Sequence, residues 1–291
     1  MFGKKYNIPV IVDIRDMWPD IYVELATKAK SLVKLAIVPL RSQLKYTLKN
    51  CKGIFATSDK FLDWGLHYAQ REKNILDDFF YVSYPDTNVP VDPEDLNYWY
   101  DMGVQKDDLV CCFFGQFGYA VDLDTVMNAA VKLHEANAKV KFVICGVGEK
   151  INDYKEIVKN VDNVIFPGWV NRKQICELGK ISHIGLLSYR KSKNYEWSMP
   201  NKFCEYLALG QALLIQPNGM MDEMAEKHGC GVRYDNVEEL VQTLIYFDAH
   251  RNEVMEMKEK SRKLYDESFR ADVVYGRLAD KLLKIAGETE L

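Results

Sequence analysis

Four short segments of the chain are apolar at nearly every position, without the alternation typical of a half-exposed strand. They read VCCFF, VKFVIC, HIGLL and ALLI, and each precedes a stretch in which apolar residues have helical spacing. Strands of this kind occur where helices cover both faces of a sheet. Their alternation with helices predicts an α/β fold with parallel sheets.

The same pattern predicts nine strands and the helices between them. The predicted strands are Ile8–Ile14, Gly53–Thr57, Phe79–Ser83, Leu109–Phe114, Val140–Cys145, Asn163–Phe166, His183–Leu187, Ala212–Gln216 and Gly231–Tyr234. The predicted helices are Ile21–Asn50, Lys60–Ala69, Asp122–Glu135, Asp153–Lys159, Lys173–Lys180, Pro200–Leu209, Met220–Lys227 and Glu238–Asp248, and three more follow up to Ala286.

A break in this pattern divides the chain. Residues 85–108 contain three prolines and a cluster of acidic residues, which is typical of a linker followed by a short helix. We therefore predict a partial first domain over residues 1–90, a linker over 91–108 and a doubly wound second domain over 109–250. Residues 251–291 are predicted to form helices that pack back toward the first domain.

The first domain has only three predicted strands, which is few for a doubly wound domain. It is therefore expected to be cut short at its start. The first strand, Ile8–Ile14, has the apolar character of a central strand. One of its edges would have no neighbour unless another chain covers it.

Charge is distributed unevenly over a composition that is otherwise globular. The 291 residues are 48% hydrophobic and 27% charged, and the net charge is −4. Seven basic residues and no acidic residue lie between Lys28 and Lys52. This segment is expected to attract phosphate or anionic lipid head groups, and a solvated helix face is an equally good interpretation.

Several classes of site are disfavoured. Seven cysteines without a CxxC pair favour a reducing cytosol over a disulfide framework or structural zinc. The five histidines are scattered, and HExxH, GxSxG and GxxxxGK[ST] motifs do not occur. We therefore expect no metal, no cofactor and no nucleic-acid partner. No run of 18 apolar residues occurs. The expected location is cytoplasmic, with peripheral contact at the inner face of the membrane as a further expectation.

The segment most suited to ligand binding is residues 188–214, which follows the strand HIGLL. Doubly wound sheets bind ligands at the C-terminal ends of their strands. Ser198 is expected to cap a helix that has Pro200 in its first turn, so that the first amides point at an anion. Lys202 adds a positive charge, and Glu205 could accept hydrogen bonds from sugar hydroxyls. An ordinary helix with an ion pair between Lys202 and Glu205 explains the same pattern.

Glycine-bearing turns follow other strands at the same predicted edge. They are GQFG at residues 115–118, GVG at 146–148 and PGWVNRK from Pro167. Such turns are usual phosphate sites, but GxxG is a weak signal and any one turn can be a simple connection. Several of them at one edge predict an anion-binding crevice.

Charged residues also end the first predicted strand, in VIVDIRDMWPD at residues 10–20. Asp13, Arg15 and Asp16 should face the crevice of their domain. They could contact a substrate or form a structural ion pair.

The motifs RDMWP, GIFATS, GQFGYAVDLDTVMNAA and SMPNKFCEYLALGQALL resemble those of family-4 glycosyltransferases, in order and spacing over nearly the whole chain. The chain is most similar to bacterial members that build O-antigen, capsule or exopolysaccharide, including the fucosaminyltransferase-like branch. The resemblance implies the GT-B fold, with two Rossmann-like doubly wound α/β domains. By this resemblance the first domain is expected to be incomplete, because the glycine-rich strand–helix unit and the further units that precede RDMWP in the family have no counterpart in this sequence.

The resemblance also implies a reaction. The C-terminal domain would hold a nucleotide-sugar donor, usually UDP-linked, and a lipid-linked or saccharide acceptor would lie against the N-terminal domain. Transfer of a hexose would retain the anomeric configuration without a metal, in surface polysaccharide synthesis. The chain alone could be inactive, and a partner subunit or a homodimer could complete its first domain.

Residue by residue, Glu205 matches the second glutamate of the family's E-x7-E motif, which implies contact with the ribose hydroxyls. The first glutamate would fall on Trp197, and Glu196 lies one residue earlier. The implied catalytic residues are Asp13, Arg15, Asp16 and Glu196. The implied donor-binding residues are Gly115, Gln116, Phe117, Gly118, Gly146, Gly168, Val170, Arg190, Ser198, Met199, Pro200, Asn201, Lys202 and Glu205.

Within the donor set, the roles differ. Gly115–Gly118 match the first phosphate loop but lack the basic residues that many members carry there. Lys202, the helix amides and Arg190 would therefore neutralise the diphosphate. Gly168–Val170 match the turn that meets the base.

Two other hypotheses come from different classes. The chain could be a nucleotide-sugar-binding remnant without turnover, or a nucleotide-sugar epimerase that shares the fold. The epimerase is the weakest of the three, because the SMPNK motif with its glutamate is a transferase pattern.

Overall fold

A computed structural model describes residues 2–26, 28–87, 90–118 and 120–287. The chain divides into two compact units. The first unit comprises residues 1–83, 192–200 and 271–291, and the second comprises residues 84–191 and 201–270. The second unit is thus interrupted by a nine-residue segment that belongs to the first.

Strands and helices alternate along the described residues. The strands are β1 (Ile11–Ile14), β2 (Gly53–Ala56), β3 (Asp78–Phe79), β4 (Leu109–Gln116), β5 (Val140–Val147), β6 (Val164–Gly168), β7 (Ile184–Ser188), β8 (Ala212–Gln216) and β9 (Gly231–Arg233). The helices are α1 (Phe2–Tyr6), α2 (Ile21–Leu25), α3 (Lys30–Ala36), α4 (Val38–Asn50), α5 (Asp59–Ala69), α6 (Asn97–Asp101), α7 (Leu123–Glu135), α8 (Ile151–Ile157), α9 (Arg172–Ile181), α10 (Lys193–Glu196), α11 (Asn201–Ala208), α12 (Met220–His228), α13 (Val237–Ala249), α14 (Arg251–Leu264) and α15 (Ala271–Gly287). A 3₁₀ turn covers Pro93–Leu96 and a π-helical turn covers Tyr265–Phe269.

The first unit is built on a three-stranded parallel sheet in the order β1-β2-β3. Helices α4 and α5 pack on one face, where Ile14, Leu48 and Phe61 share a core. Helix α15 packs on the other face, where Val274 and Ile285 contact a second cluster.

Strand β1 lies at the edge of this sheet, which corrects the prediction of a central strand at Ile8–Ile14. Within the described residues β1 pairs only with β2 and has four residues. Ile8 and Val10, just before it, are 50% and 40% exposed. Among the described residues no strand pairs with the other edge of β1, so this edge is open there.

The predicted helix Ile21–Asn50 is also corrected, because the described part of this segment forms three helices. Ala26 has an extended backbone after α2, and Ala29 has a left-handed φ of 54° before α3. Pro39 then lies in the first turn of α4, a position that suits proline, whereas the interior of one long helix would not.

The second unit contains a six-stranded, all-parallel sheet in the order β6-β5-β4-β7-β8-β9. The strand order reverses between β4 and β7, which makes the crevice beyond their C-terminal ends the expected ligand site. The six strands predicted for residues 109–250 are confirmed, with ends that shift by one or two residues. Their apolar side chains form the main core together with helices α7 and α13.

Candidate functional site

Two glycines meet at the C-terminal ends of β4 and β5. Gly115 and Gly146 are opposite each other in the parallel register, with φ angles of 149° and 142°. A Cβ atom on Gly146 would overlap the carbonyl oxygen of Gly115. Both the backbone angle and the close approach therefore require glycine here, and the two turns form a tight ledge of backbone at the switch point.

Lys202, near the start of α11, reaches this ledge. A Cβ atom on Gly115 would lie 2.6 Å from both Cε and Nζ of Lys202. The ammonium lies 5.2 Å from the ring centre of Phe113 and 5.8 Å from that of Tyr189. Within the described part of the chain, it makes no ion pair with a carboxylate. Burial lowers the pKa of Lys202, because a charge is poorly solvated there and the nearby Glu205 compensates only in part.

Glu205 lies one helical turn further along α11 and is buried, with 9% of its surface exposed. The hydroxyl of Tyr84 lies close to this carboxylate. Within the described residues, Glu205 does not form the ion pair with Lys202 that the alternative interpretation requires. Burial raises the pKa of Glu205, while the bond to Tyr84 and the charge of Lys202 lower it. Helix α11 thus carries a cation and a carboxylate in different environments: Lys202 lies at the Gly115 turn, and Glu205 lies beside Tyr84.

Tyr84 was not identified from the sequence. It lies 121 positions before Glu205, just after the predicted strand Phe79–Ser83, where no local pattern marks a binding residue. Only the fold brings the two side chains together.

The turn after β6 also lies at this edge of the sheet. Gly168 has a φ of 82° and open space around the position of a Cβ atom. Val170 is buried, whereas Trp169 between them is 72% exposed. Asn171 then begins α9 with a capping box that also involves Gln174. An exposed indole on a rigid turn is a surface on which a flat ring could stack.

Phe117, one of the predicted donor-binding residues, does not contact this crevice through its side chain. It is fully buried, and its ring centre lies 6.0 Å from that of Tyr154 and 6.2 Å from that of Phe113. Its backbone N–H donates to the carbonyl of Val147 at 3.0 Å. Phe117 therefore supports the turn from inside. Gln116 is exposed and Gly118 has open space around it.

Arg190 lies beside the loop between β4 and α7. Its guanidinium is 3.5 Å from the carboxylate of Asp124 and donates to the carbonyl of Val121 at 3.5 Å. Asp124 also pairs with Lys150 at 3.1 Å. Arg190 thus has protein partners, whereas Lys202 forms no ion pair with a carboxylate of the described residues.

Ser198 does not cap α11, which corrects the prediction. Helix α11 begins at Asn201, and the hydroxyl of Ser198 donates instead to the carbonyl of Tyr195 at 3.4 Å. The serine that caps a helix here is Ser192, whose hydroxyl accepts the N–H of Tyr195 in α10. Ser198, Met199 and Pro200 belong to the first unit, with Met199 buried and the other two partly exposed.

In the first unit, Asp13, Arg15 and Asp16 line a cavity of about 920 Å³ beside β1. Arg15 Nε donates to Asp13 at 2.8 Å, and both side chains are well exposed. Asp16 accepts from the side-chain amide of Asn194 at 3.0 Å, and that buried asparagine also accepts the N–H of Met17. Glu196 ends α10 and is partly exposed.

In the described parts of the chain, no group of three or more His, Cys, Asp or Glu residues could hold a metal ion. Within the same residues, none of the helices is both long and apolar enough to cross a membrane.

The comparisons with known proteins agree with this architecture. The family described as glycosyl transferases group 1 matches residues 101–264, more than half of the chain, so the chain belongs to this family. No curated protein sequence matches it.

Solved structures resemble nearly the whole chain. The Anabaena protein Alr3699/HepE in complex with UDP-glucose has a TM-score of 0.73 and 13% identity, with 97% of this chain and 74% of that chain covered. A glycosyltransferase from Rickettsia africae ESF-5 has a TM-score of 0.70 and 15% identity, covering 99% and 78%. Sucrose-phosphate synthase from Thermosynechococcus elongatus has a TM-score of 0.67 and 12% identity, covering 98% and 76%. The chain is therefore a glycosyltransferase-family protein with the Rossmann-like GT-B fold.

Proposed function

We propose that the protein transfers a hexose from a UDP-sugar to a lipid-linked or saccharide acceptor, with retention of configuration, in bacterial surface polysaccharide synthesis of the capsule or O-antigen type. The observation that carries the donor assignment is the ammonium of Lys202 against the Gly115 turn, with the Glu205 carboxylate on the same helix. The HepE structure with UDP-glucose, which shares the fold, supports the choice of nucleotide.

In this proposal each group of the donor has its own partner. The diphosphate lies on the Gly115–Gly146 ledge beside Lys202, the ribose hydroxyls meet Glu205, and the base meets the Gly168–Val170 turn. When the bond to the sugar breaks, negative charge grows on the leaving diphosphate. The ammonium of Lys202 would stabilise that charge most in the transition state, and Asn201 and the α11 amides would add to it. The reaction proposed here uses no metal or cofactor.

The acceptor is proposed to bind in the first unit, in the cavity lined by Asp13, Arg15 and Asp16. A carboxylate there could orient or deprotonate the acceptor hydroxyl. Arg15 Nε donates to Asp13 at 2.8 Å. Glu196 is proposed to contact the donor sugar.

A polypeptide partner is proposed at the open edge of β1. About a quarter of the HepE and Rickettsia chains has no counterpart in this chain, since the matches cover 73–78% of them. An exposed parallel edge can accept a further strand. We propose that a partner subunit or a second copy supplies it.

The basic segment between Lys28 and Lys52 is proposed to contact the inner face of the cytoplasmic membrane. The segment includes α3, on which Leu32 and Leu35 are 68% and 70% exposed, and Val38 at the start of α4 is 48% exposed. Apolar side chains among lysines favour an interfacial helix that would bring the enzyme to a lipid-linked acceptor.

The test is calorimetric titration of the full chain with UDP, followed by a transfer assay with a UDP-sugar and an acceptor. Glu205→Ala should weaken UDP binding by about 1–3 kcal/mol, because the ribose hydroxyls lose a charged partner. Glu226→Ala is the matched control, because Glu226 is exposed on α12, and it should leave the affinity for UDP unchanged. Equal affinity in the wild type and Glu205→Ala would contradict the donor assignment.

The same experiments separate the alternatives. UDP binding without transfer, even when the protein is oligomeric, would identify a nucleotide-sugar-binding remnant. Conversion of the donor sugar without an acceptor would identify an epimerase.

A further inference from the structure

The segment Tyr84–Thr87 runs beside α11 and contacts it at two points. The hydroxyl of Tyr84 lies close to the carboxylate of Glu205. The hydroxyl of Thr87 donates to the carbonyl of Ala208, the last residue of α11, at 2.6 Å. Both contacts lie within the second unit, on the half of the helix that contains Glu205.

Helix α14 reinforces this arrangement. Arg262 donates to the same carbonyl of Ala208 at 2.9 Å and pairs with Asp86 at 3.0 Å. Arg262 also pairs with Asp266 one turn further on. The segment and the end of α11 are therefore held by one shared guanidinium.

The backbone of Tyr84 is fixed independently of its side chain. It forms a parallel bridge with Arg270, and its carbonyl accepts the hydroxyl of Tyr265 at 2.8 Å. Tyr265 is fully buried. The Tyr84 hydroxyl thus approaches Glu205 from a fixed position, and little freedom is lost when the bond forms.

We propose that Tyr84 is a positioning residue for Glu205, whose hydroxyl holds one carboxylate oxygen so that the other is aimed at the ribose diol of a nucleoside diphosphate. This inference rests on the proposed donor site. A carboxylate can accept several hydrogen bonds, so the bond to Tyr84 leaves capacity for two sugar hydroxyls. A buried carboxylate without this donor would lose both its orientation and part of its stabilisation.

The charge state of Glu205 provides a readout that is specific to this role. Burial raises the pKa of Glu205, and the Tyr84 bond and the Lys202 charge oppose that effect. The other titratable groups that interact electrostatically with it are Cys112 of β4, Cys176 of α9 and, on α11 itself, Cys204 and Tyr206. Burial raises the pKa of each of these groups, so they stay neutral near pH 7. Removal of the Tyr84 hydroxyl should therefore raise the pKa of Glu205 further.

The experiment compares four full-length proteins: the wild type, Tyr84→Phe, Glu205→Gln and the double variant. Each is titrated calorimetrically with UDP and with 2′,3′-dideoxy-UDP, from about pH 5 to about pH 8. Tyr98→Phe is the matched control, because Tyr98 lies exposed on α6 of the same unit. Thermal unfolding of every variant shows whether it is folded.

Tyr84→Phe should weaken UDP binding about five- to tenfold and leave dideoxy-UDP binding nearly unchanged. With Glu205→Gln already present, Tyr84→Phe should cause no further loss. On acidification, Tyr84→Phe should lose UDP affinity at a higher pH than the wild type does. Tyr98→Phe should behave as the wild type.

Two results would overturn the inference while the donor site stands: an unchanged UDP affinity in Tyr84→Phe, or an equal loss for both nucleotides with an unchanged pH profile. Failure of the wild type itself to bind UDP would instead refute the proposed donor site, and the role of Tyr84 with it.

Discussion

The ammonium of Lys202 lies against the α-carbon of Gly115, close enough that even a methyl group at this glycine would be 2.6 Å from Nζ. A side chain that starts on α11 thus ends on the turn after β4. The contact brings the one full positive charge of α11 to a turn whose glycines keep the backbone open to a ligand.

Lys202→Met should weaken UDP binding by about 2 kcal/mol and leave uridine binding unchanged, because only the diphosphate loses a charged partner. Calorimetry with both ligands measures this, and Lys191→Met, an exposed lysine of the same unit, is the control. Addition of EDTA should not alter wild-type affinity. A loss of equal size for uridine would show that Lys202 acts on the fold rather than on phosphate.

Gly146→Ala should lower the free energy of unfolding by about 2–4 kcal/mol, because the new Cβ overlaps the Gly115 carbonyl and the φ of 142° is strained for alanine. Chemical denaturation measures the change. Gly118→Ala is the matched control, since its Cβ would have open space, and it should change stability by less than about 0.5 kcal/mol. Similar losses in both variants would contradict the close approach of the two turns.

His183 should make stability fall on mild acidification. Burial lowers the pKa of His183 to about 4, and its Nδ1 accepts the N–H of Val110 at 3.2 Å, which requires the neutral ring. The unfolded chain protonates near pH 6.5, so folding stability drops as pH falls from about 6.5 toward about 4.

The contribution of His183 over this range should be about 1–3 kcal/mol. Denaturant unfolding of the wild type and His183→Gln at about pH 7 and about pH 5 isolates it, because other titrating groups are common to both proteins. An identical pH dependence in the two proteins would refute this role.

Vesicles that contain anionic lipid should bind the protein at low salt and release it at high salt, with about 1 kcal/mol for each basic residue at the surface. Replacing both Leu32 and Leu35 with serine should weaken binding, because these exposed side chains would insert. Ile75→Ser, at another exposed apolar position, serves as the control in a sedimentation assay. Vesicle binding that does not depend on lipid charge or on salt concentration would contradict the proposed contact of the basic segment with the membrane.

The open edge of β1 should make the purified chain self-associate when no partner is present. Val10→Lys places a charge beside that edge and should shift the protein toward the monomer in size exclusion with light scattering. Leu283→Lys, at an exposed position of α15, should leave the oligomeric state unchanged. The monomeric fraction is expected to bind UDP and to transfer sugar poorly, so robust transfer by a monomer would argue against a partner.

The second sheet was predictable because its strands are covered on both faces and are therefore apolar throughout. Strand β4 extends two residues beyond the prediction, to Gln116. The apolar run stops at Phe114, and glycine at 115 is not a residue that sequence patterns assign to a strand. The breaks between the helices from Ile21 to Asn50 were harder to predict. Ala29 has a left-handed φ before α3, but alanine is a residue type that usually favours a helix.

The site was predictable only in part. Lys202 and Glu205 share one helix, so their spacing showed that they could act together. Ser198 was wrong as a cap because α11 begins only at Asn201, and the Ser198 hydroxyl bonds back to the carbonyl of Tyr195. Tyr84 could not be found, since its contact with Glu205 depends on the tertiary structure alone.

Trp169 gives the proposed base-binding turn an optical signal of its own. Its indole is 72% exposed, whereas Trp99 and Trp64 are buried, and Trp18, which is 41% exposed, belongs to the first unit. If the base stacks on it, nucleotide should quench the emission of Trp169 and shift it to shorter wavelength as water leaves the ring. Trp169→Phe would remove that signal, so a simple fluorescence titration can follow occupancy of the crevice without a labelled donor or an identified acceptor.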